Sequence, residues 1–288
     1  MAVDHQELTS ELAGLDALEL GGGGGTTQAV KVWNAAWPKL AAVVLAVAAW
    51  QVVVWTRWRP SYVLPGPGPV FRSLWHDAGT GVFWTAIGTT MRRAVVGYGL
   101  ALVVGLVIGG LVARSKILRS ALGSFITGLQ TMPSVTWFPL ALVLFKLGEG
   151  AITFVVVIGA APSIANGFVA GIDYVPPLLI RSGRMMGAKG VALWRHVIIP
   201  AALPSVVGGL KQGWAFAWRS LMAGEIIAII GHEVSIGERL TDAQNLNDSV
   251  NLIEWMVVVL IIGIAVDALF GAADRSLRRR WGLIATGL

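Results

Sequence analysis

The chain has 288 residues, of which 55% are hydrophobic and only 13% charged, a composition that excludes an ordinary soluble domain and predicts an integral membrane protein. It has no cysteine, which excludes disulfides, thiolate metal sites and cysteine nucleophiles. The net charge of +6 comes from short basic runs between apolar stretches, so membrane topology explains it better than nucleic-acid binding does.

The first part of the chain, residues 1–34, is predicted to be a cytoplasmic tail with a Gly-rich linker. It carries acidic residues, no Lys or Arg before Lys31, and the five-glycine run Gly21–Gly25. A signal peptide would need a basic start and a cleavable apolar stretch, which this segment lacks. A short amphipathic helix on the leucines between residues 8 and 18 is the alternative to a disordered tail.

Six stretches are apolar enough to cross a bilayer core, which takes about 20 helical residues. They cover residues 35–55, 84–113, 120–145, 151–172, 205–230 and 252–270. We therefore predict an all-α membrane protein with a six-helix domain over residues 35–274 and a cytoplasmic tail over 275–288. Pro133 and Pro139 should bend or interrupt the third stretch, either as a simple kink or because it faces a pore.

The distribution of Lys and Arg predicts the orientation of the chain. With the amino terminus inside, most cations outside the spans fall in cytoplasmic segments, as short cytoplasmic loops require. Both termini are therefore expected in the cytoplasm, and the protein in the plasma (inner) membrane.

Between the fourth and fifth spans lies segment 173–204, which is long, basic and placed in the cytoplasm by the same rule. Pro176 and Pro177 suit the first turn of a helix that runs to about Met186. The run Gly187–Gly190 should then break the chain, and a second helix from Val191 should end before Pro200. A plain connection would need only a few residues, so this length favours a docking element.

At these residues the sequence resembles the cytoplasmic loop of binding-protein-dependent ABC importer permeases. The signature of that family is Glu-Ala-Ala, three residues, Gly, nine residues and then Ile-x-Leu-Pro. Here Gly187 is followed after nine residues by Val197, Ile198, Ile199 and Pro200. Arg181, Ser182 and Gly183 stand where the family has Glu-Ala-Ala, so Arg181 reverses the charge of the acidic residue.

The resemblance implies a type I ABC importer (MetI-like) permease fold and a coupling role for segment 173–204. The implied partners are a second permease copy, two cytoplasmic ATPase subunits that hold ATP and Mg, an extracytoplasmic substrate-binding protein and membrane lipids, with no nucleic acid. The residues implied to couple to the ATPase are Arg181, Ser182, Gly183, Met186, Gly187, Ala188 and Pro200.

Three further stretches are similar to the subfamily that handles nitrate, sulfonates, taurine, bicarbonate and some vitamin precursors. They read YVLPGPGPVF, QTMPSVTWFPLALVLFKLGEG and GLKQGWAFAWRSLMAGEII. The last is most similar to sulfonate permeases. The resemblance thus implies import of a small anionic solute such as a sulfonate, nitrate or taurine.

The sequence holds no motif for chemistry of its own. It lacks a phosphate-binding loop and any Gly-Lys dipeptide, and its four histidines have no ligand spacing. We therefore expect no catalytic residue, metal or cofactor on this chain and no enzyme activity of its own, with nucleotide hydrolysis on a partner.

Charged residues inside spans are candidates for function, because each costs a few kcal/mol at the bilayer centre. Arg219 is the strongest: it either attracts an anion or forms a structural pair with an acid such as Glu225. Trp218, Pro133 and Trp137 are the other candidates for the substrate path. The rival functions are a secondary transporter, for which no internal repeat is visible, and an ABC permease for a neutral vitamin precursor.

Overall fold

The computed structural model describes residues 28–228 and 233–280, and all regular structure in these ranges is helical. The chain divides into two compact units between Arg59 and Pro60. The predicted amphipathic helix and Gly-rich linker, most of the predicted C-terminal tail, and the predicted end of the fifth span at residues 229–230 lie outside the described residues.

The first unit contains one described helix, α1 (Gln28–Trp55). Its stretch Trp37–Trp55 is long and apolar enough to cross a membrane, which confirms the first predicted span. The side chain of Trp55 is 72% exposed at the end of this stretch, where an amphipathic ring suits the membrane interface.

The described part of the second unit contains ten further α-helices, one 3₁₀ turn and one π-helical turn. The α-helices are α2 (Pro67–Asp77), α3 (Gly81–Arg114), α4 (Lys116–Thr131), α5 (Phe138–Phe145), α6 (Glu149–Asp173), α7 (Pro177–Met185), α8 (Gly190–Leu193), α9 (Ile199–Ile227), α10 (Ile236–Asn245) and α11 (Ser249–Arg280). The 3₁₀ turn is Ser134–Trp137 and the π-helical turn is Trp194–Ile198.

Polar side chains cap the starts of several helices. The hydroxyl of Thr80 accepts a hydrogen bond from the Phe83 amide at the start of α3, and Ser115 does the same for Leu118 at the start of α4. At α10, Ser235 and Glu238 form a reciprocal capping box. Such caps satisfy amides that have no partner inside the helix, and they fix where each helix begins.

The described chain has five helices that pass the length and hydropathy criteria of a membrane span, and a sixth if one bent pair is counted. The bent pair is the third predicted span: α4 and the stretch Ser134–Phe145 meet at 98°. Met132 is extended at this break, because the proline that follows it disfavours a helical conformation in the preceding residue. The predicted interruption at Pro133 is therefore confirmed.

The predicted end of the second cytoplasmic helix before Pro200 is wrong. α8, the π-helical turn and α9 follow one another without a gap, so one helical stretch runs from Gly190 to Ile227. In the π turn the Ile199 amide donates to the carbonyl of Trp194, five residues back. This wider turn places Pro200 in the first turn of α9, where a proline is tolerated.

The centre of the second unit is α6, which packs between α3 and α9. Glycines let the backbones approach: a Cβ on Gly209 would lie 2.6 Å from the Cα of Gly167, and one on Gly105 would lie 2.8 Å from the Ala161 carbonyl oxygen. Where lipid replaces water, close packing of small residues is a main source of helix association. Glycines of the second, fourth and fifth spans therefore hold the bundle together.

Candidate functional site

Segment 173–204 begins with α7, which ends in a Schellman motif. The Gly187 amide donates to the Arg184 carbonyl at 3.1 Å, and the Ala188 amide donates to the Gly183 carbonyl at 3.0 Å. Gly187 has φ +88°, a left-handed conformation that glycine adopts without strain. The predicted helix to about Met186 and the predicted glycine break are confirmed. Gly187 is the residue that takes the left-handed conformation in this turn.

α7 packs against the start of the 190–227 helix through Gly183. A Cβ at Gly183 would lie 2.9 Å from Val197 Cγ2 and 3.1 Å from Leu193 Cδ1, so the contact is close and a larger residue would have to displace these side chains. Val175, Leu193 and Ile198 are buried in the small apolar cluster beside it. The two arms of segment 173–204 therefore form one packed elbow.

The outer face of this elbow combines exposed apolar and basic side chains. Met185 and Met186 are 81% and 82% exposed, and Arg181 and Arg184 are exposed beside them. Of the other residues implied in coupling, Ser182, Ala188 and Pro200 are partly buried and Gly183 is buried. An exposed methionine pair framed by cations is the kind of surface that a partner protein covers.

A second candidate region surrounds Arg219 at the break in the third span. It is a cavity of about 360 Å³, called the Arg219 cavity below. Its lining residues come from the end of α4, the 3₁₀ turn, α6 and α9, and none of them is acidic: Gln130, Thr131, Met132, Pro133, Ser134, Val135, Gly159, Phe216, Arg219 and Ala223.

The elements around the Arg219 cavity are joined by hydrogen bonds between polar side chains. Ser220 and Ser134 lie with their hydroxyl oxygens 2.7 Å apart, and Asn166 donates to Gln130 Oε1 at 2.6 Å. Gly159 makes the first contact sterically feasible, because a Cβ there would collide with the Ser220 hydroxyl. The bent third span is thereby fixed to α6 and α9.

Within the described residues no carboxylate lies within 4.0 Å of the Arg219 guanidinium. Its Nε donates to the Ala215 carbonyl at 3.2 Å, and its Cζ lies 4.8 Å from the centroid of the Phe216 ring. The side chain is exposed. The cation is therefore held against its own helix with its two terminal amines available.

The structure brings only one of the other predicted path residues, Pro133, to the Arg219 cavity. Trp218 lies in another cavity with residues of α11, where its ring stacks on that of Trp214 at 6.3 Å. Trp137 lines an apolar cavity between α3, α4 and α6. Three separate regions therefore hold the predicted path residues.

Glu225, considered above as a partner for Arg219, pairs instead with Arg93 of α3. Arg93 Nη1 and Glu225 Oε1 are 3.0 Å apart, and their side chains are 4% and 0% exposed. Glu225 also accepts hydrogen bonds from the Thr90 hydroxyl at 2.9 Å and the Gly237 amide at 3.1 Å. The sequence reasoning missed this pair; the signal was an ionisable residue at the edge of each of two apolar stretches.

Residues 101–282 match the model of the binding-protein-dependent transport system inner membrane component family. The chain belongs to this family. It is an inner-membrane, multi-pass permease subunit of an ABC importer. This membership excludes the secondary-transporter alternative. Permeases of this family form dimers and work with an ATPase on a separate chain and with a substrate-binding protein.

Named relatives cover most of this permease. A nitrate import permease of Synechocystis sp. is 30% identical over 199 residues, which are 69% of this chain and 70% of that protein. An ABC transporter permease of Methanocaldococcus jannaschii is 29% identical over 233 residues, 80% of this chain and 86% of that protein. A protein of Escherichia coli named as an aliphatic sulfonates transport permease is 26% identical over 235 residues, 82% and 87% of the two chains.

Two solved transporters share the fold of this permease. A chain of the MetNI methionine ABC transporter superposes with a TM-score of 0.58 at 19% identity, over 68% of this chain and 96% of that one. A chain of an amino acid ABC transporter gives a TM-score of 0.55 at 20% identity, over 72% and 97%. The predicted MetI-like permease fold is confirmed.

Proposed function

We propose that this permease imports a small anion, and the observation that carries the proposal is the unpaired cation in the Arg219 cavity. An arginine at membrane depth costs about 3 kcal/mol on insertion scales. Within the described residues it has no acidic partner to offset that cost, and the cavity around it has no acidic lining residue. An anion in transit supplies the missing charge, so sulfonate, nitrate and taurine remain candidates and a neutral vitamin precursor is disfavoured.

The relatives support an anion as the cargo. One is named a nitrate import permease and another an aliphatic sulfonates transport permease. Both cargoes carry a negatively charged head with several oxygens, to which the two terminal amines of a guanidinium donate well.

Coupling to the ATPase takes place at the elbow of segment 173–204. Met185 and Met186, which are exposed, supply its apolar contacts, and the exposed Arg181 and Arg184 supply cations that would pair with acidic groups on the partner. Gly183 and Gly187 set the shape of the elbow, while Ser182, Ala188 and Pro200 are partly buried in it. ATP and Mg stay on the partner, and this chain performs no hydrolysis.

One continuous helix transmits movement of the elbow to the Arg219 cavity. Gly190–Ile227 has 38 residues, so at 1.5 Å per residue it is about 57 Å long, against about 30 Å for a bilayer core. Its first turns therefore project out of the membrane while Arg219 lies within it. When the ATPase moves the elbow, the wall of the cavity moves with it.

The proposed assembly has two permease copies, two ATPase subunits and one substrate-binding protein on the outer side. Both termini and the elbow face the cytoplasm, and lipid surrounds the spans. The basic elbow on one side of the membrane is consistent with the excess of Lys and Arg in cytoplasmic loops.

Uptake by the reconstituted transporter tests this function. Proteoliposomes that contain the permease, its ATPase and its binding protein should accumulate labelled nitrate or butanesulfonate only with ATP. The Arg219→Gln variant should lower uptake at least tenfold, because it removes a charged donor worth about 1.5–3 kcal/mol. The exposed Arg72→Gln variant is the matched control and should transport like wild type.

Two results would contradict the proposal. Anion uptake that persists without the ATPase would exclude an ABC importer with this cargo. Equal uptake by the Arg219→Gln variant and wild type would mean that the transported anion does not pass through the Arg219 cavity.

A further inference from the structure

Few hydrogen-bond donors in the Arg219 cavity are available to a ligand, and they belong to Arg219 and Gln130. Gln130 Oε1 is occupied as an acceptor from Asn166, so its Nε2 group keeps two N–H donors without a protein partner among the described residues. The Thr131 hydroxyl donates to the Gly128 carbonyl at 2.9 Å, and Ser134 is engaged with Ser220. An anionic head would therefore find its donors on Arg219 and Gln130.

The rest of the cavity is largely apolar. Met132, Pro133 and Val135 line it from the break in the third span, and Ala223 and the Phe216 ring line it from α9. Met132 and Val135 are 38% and 42% exposed, so their apolar surface is open rather than packed. A bare inorganic ion would leave this surface uncovered.

The size of the cavity also fits an organic solute. Its volume of about 360 Å³ falls in the range of pockets that hold small organic molecules, about 300–1,000 Å³. An ion of three or four oxygens would fill only a small part of that space.

Resting on the proposed function, we propose that the Arg219 cavity is a selectivity site within the permease for organic anions that carry a short apolar chain. The oxyanion head binds Arg219 and Gln130, and the chain lies against Met132, Pro133 and Val135. The permease then discriminates among cargoes independently of the substrate-binding protein.

Direct binding to the permease–ATPase complex in nanodiscs, without the substrate-binding protein, tests this site. The probes are nitrate and the methane-, ethane- and butanesulfonates, measured by calorimetry. Each fully buried methylene should tighten binding about fourfold, so butanesulfonate should bind at least tenfold more tightly than methanesulfonate. Nitrate should bind more weakly than butanesulfonate by a similar factor.

Two variants separate the contribution of the oxyanion head to binding from the contribution of the apolar chain. Arg219→Gln should weaken all sulfonates at least tenfold and keep the ratio between butane- and methanesulfonate. The near-isosteric double variant Met132→Gln/Val135→Thr should reduce that ratio to below about threefold, since it makes the lining polar. Met256→Gln, in the separate cavity beside Trp218, is the control and should change neither value.

The two proposals fail in different ways. If the reconstituted transporter accumulates nitrate with ATP but the complex binds nitrate and butanesulfonate equally, or binds neither, the selectivity site is refuted and the anion importer stands. If no anion is accumulated although butanesulfonate binds in an Arg219-dependent way, the proposed transport function fails and the site stands.

Discussion

Arg93 and Glu225 form a buried ion pair, with 3.0 Å between Nη1 and Oε1, that ties α3 to α9. The Glu225 carboxylate also receives the amide of Gly237 in the first turn of α10. Glu149 lies 2.7 Å from Arg93 Nη2 and adds the start of α6 to the same group. One cation thus joins three helices, and through Glu225 a fourth.

Substitution of Arg93 should be strongly destabilising. Arg93→Met leaves Glu225 buried without its counter-charge, and loss of one member of a buried pair costs about 3–5 kcal/mol. The control is Arg92→Met, the neighbouring residue, whose side chain is 56% exposed and whose loss should cost less than about 1 kcal/mol. Thermal unfolding of the purified permease in detergent measures both, and equal melting temperatures for the two variants would contradict the structural role of Arg93.

Substitution of Gly209 should disrupt the crossing of α6 and α9. A Cβ at Gly209 would lie 2.6 Å from Gly167 Cα, so Gly209→Ala forces the backbones apart. Gly208 has no neighbour within 4 Å of a Cβ, and Gly208→Ala should be neutral or stabilising by up to about 1 kcal/mol, the helix propensity difference. The same unfolding assay applies, and a stabilising Gly209→Ala would mean that the two helices do not meet there.

Substitution of Gly187 should weaken coupling through the shape of the elbow. Gly187→Ala places a Cβ at φ +88°, which costs about 1–2 kcal/mol for an L-residue. We expect less ATPase to co-purify with the tagged permease. Gly187→Asn should recover part of the loss, because asparagine tolerates the left-handed conformation better than alanine does; equal losses for Ala and Asn would point away from backbone conformation.

The absence of cysteine makes the orientation directly measurable. Met186 and Leu246 are 82% and 78% exposed, so a single cysteine at either position should react with a maleimide that does not cross membranes. In intact spheroplasts we expect labelling at Leu246→Cys, and at Met186→Cys only after permeabilisation. Labelling of Met186→Cys from outside would reverse the topology and remove the elbow from the ATPase side.

Much of the fold was predictable because the bilayer imposes a simple rule on composition. Each crossing needs about 20 apolar residues, and the six stretches that meet this rule correspond to five long helices and the bent pair. The glycine break at Gly187 was predictable for a similar reason, since few residues other than glycine end a helix in this way. These signals are local in the sequence.

The pairing of charges was not predictable in the same way. Arg93 and Glu225 are 132 residues apart, and no local pattern selects one acid among several for a given arginine. The end of the helix at Pro200 was predicted wrongly because proline usually stops a helix, whereas here a π-helical turn precedes it. The Arg219 cavity depends on how a 98° bend packs against two other helices, which composition does not encode.

The continuity of residues 190–227 has a consequence for rotational register. Each residue of a helix turns the chain by about 100°, so the orientation of Arg219 about the helix axis is set by the count of residues between it and the elbow. Deleting a single residue from the α-helical stretch between the π-helical turn and Arg219 would rotate the guanidinium relative to the elbow by more than a quarter turn. The elbow and Arg219 therefore keep a fixed relative orientation about the axis of this one helix.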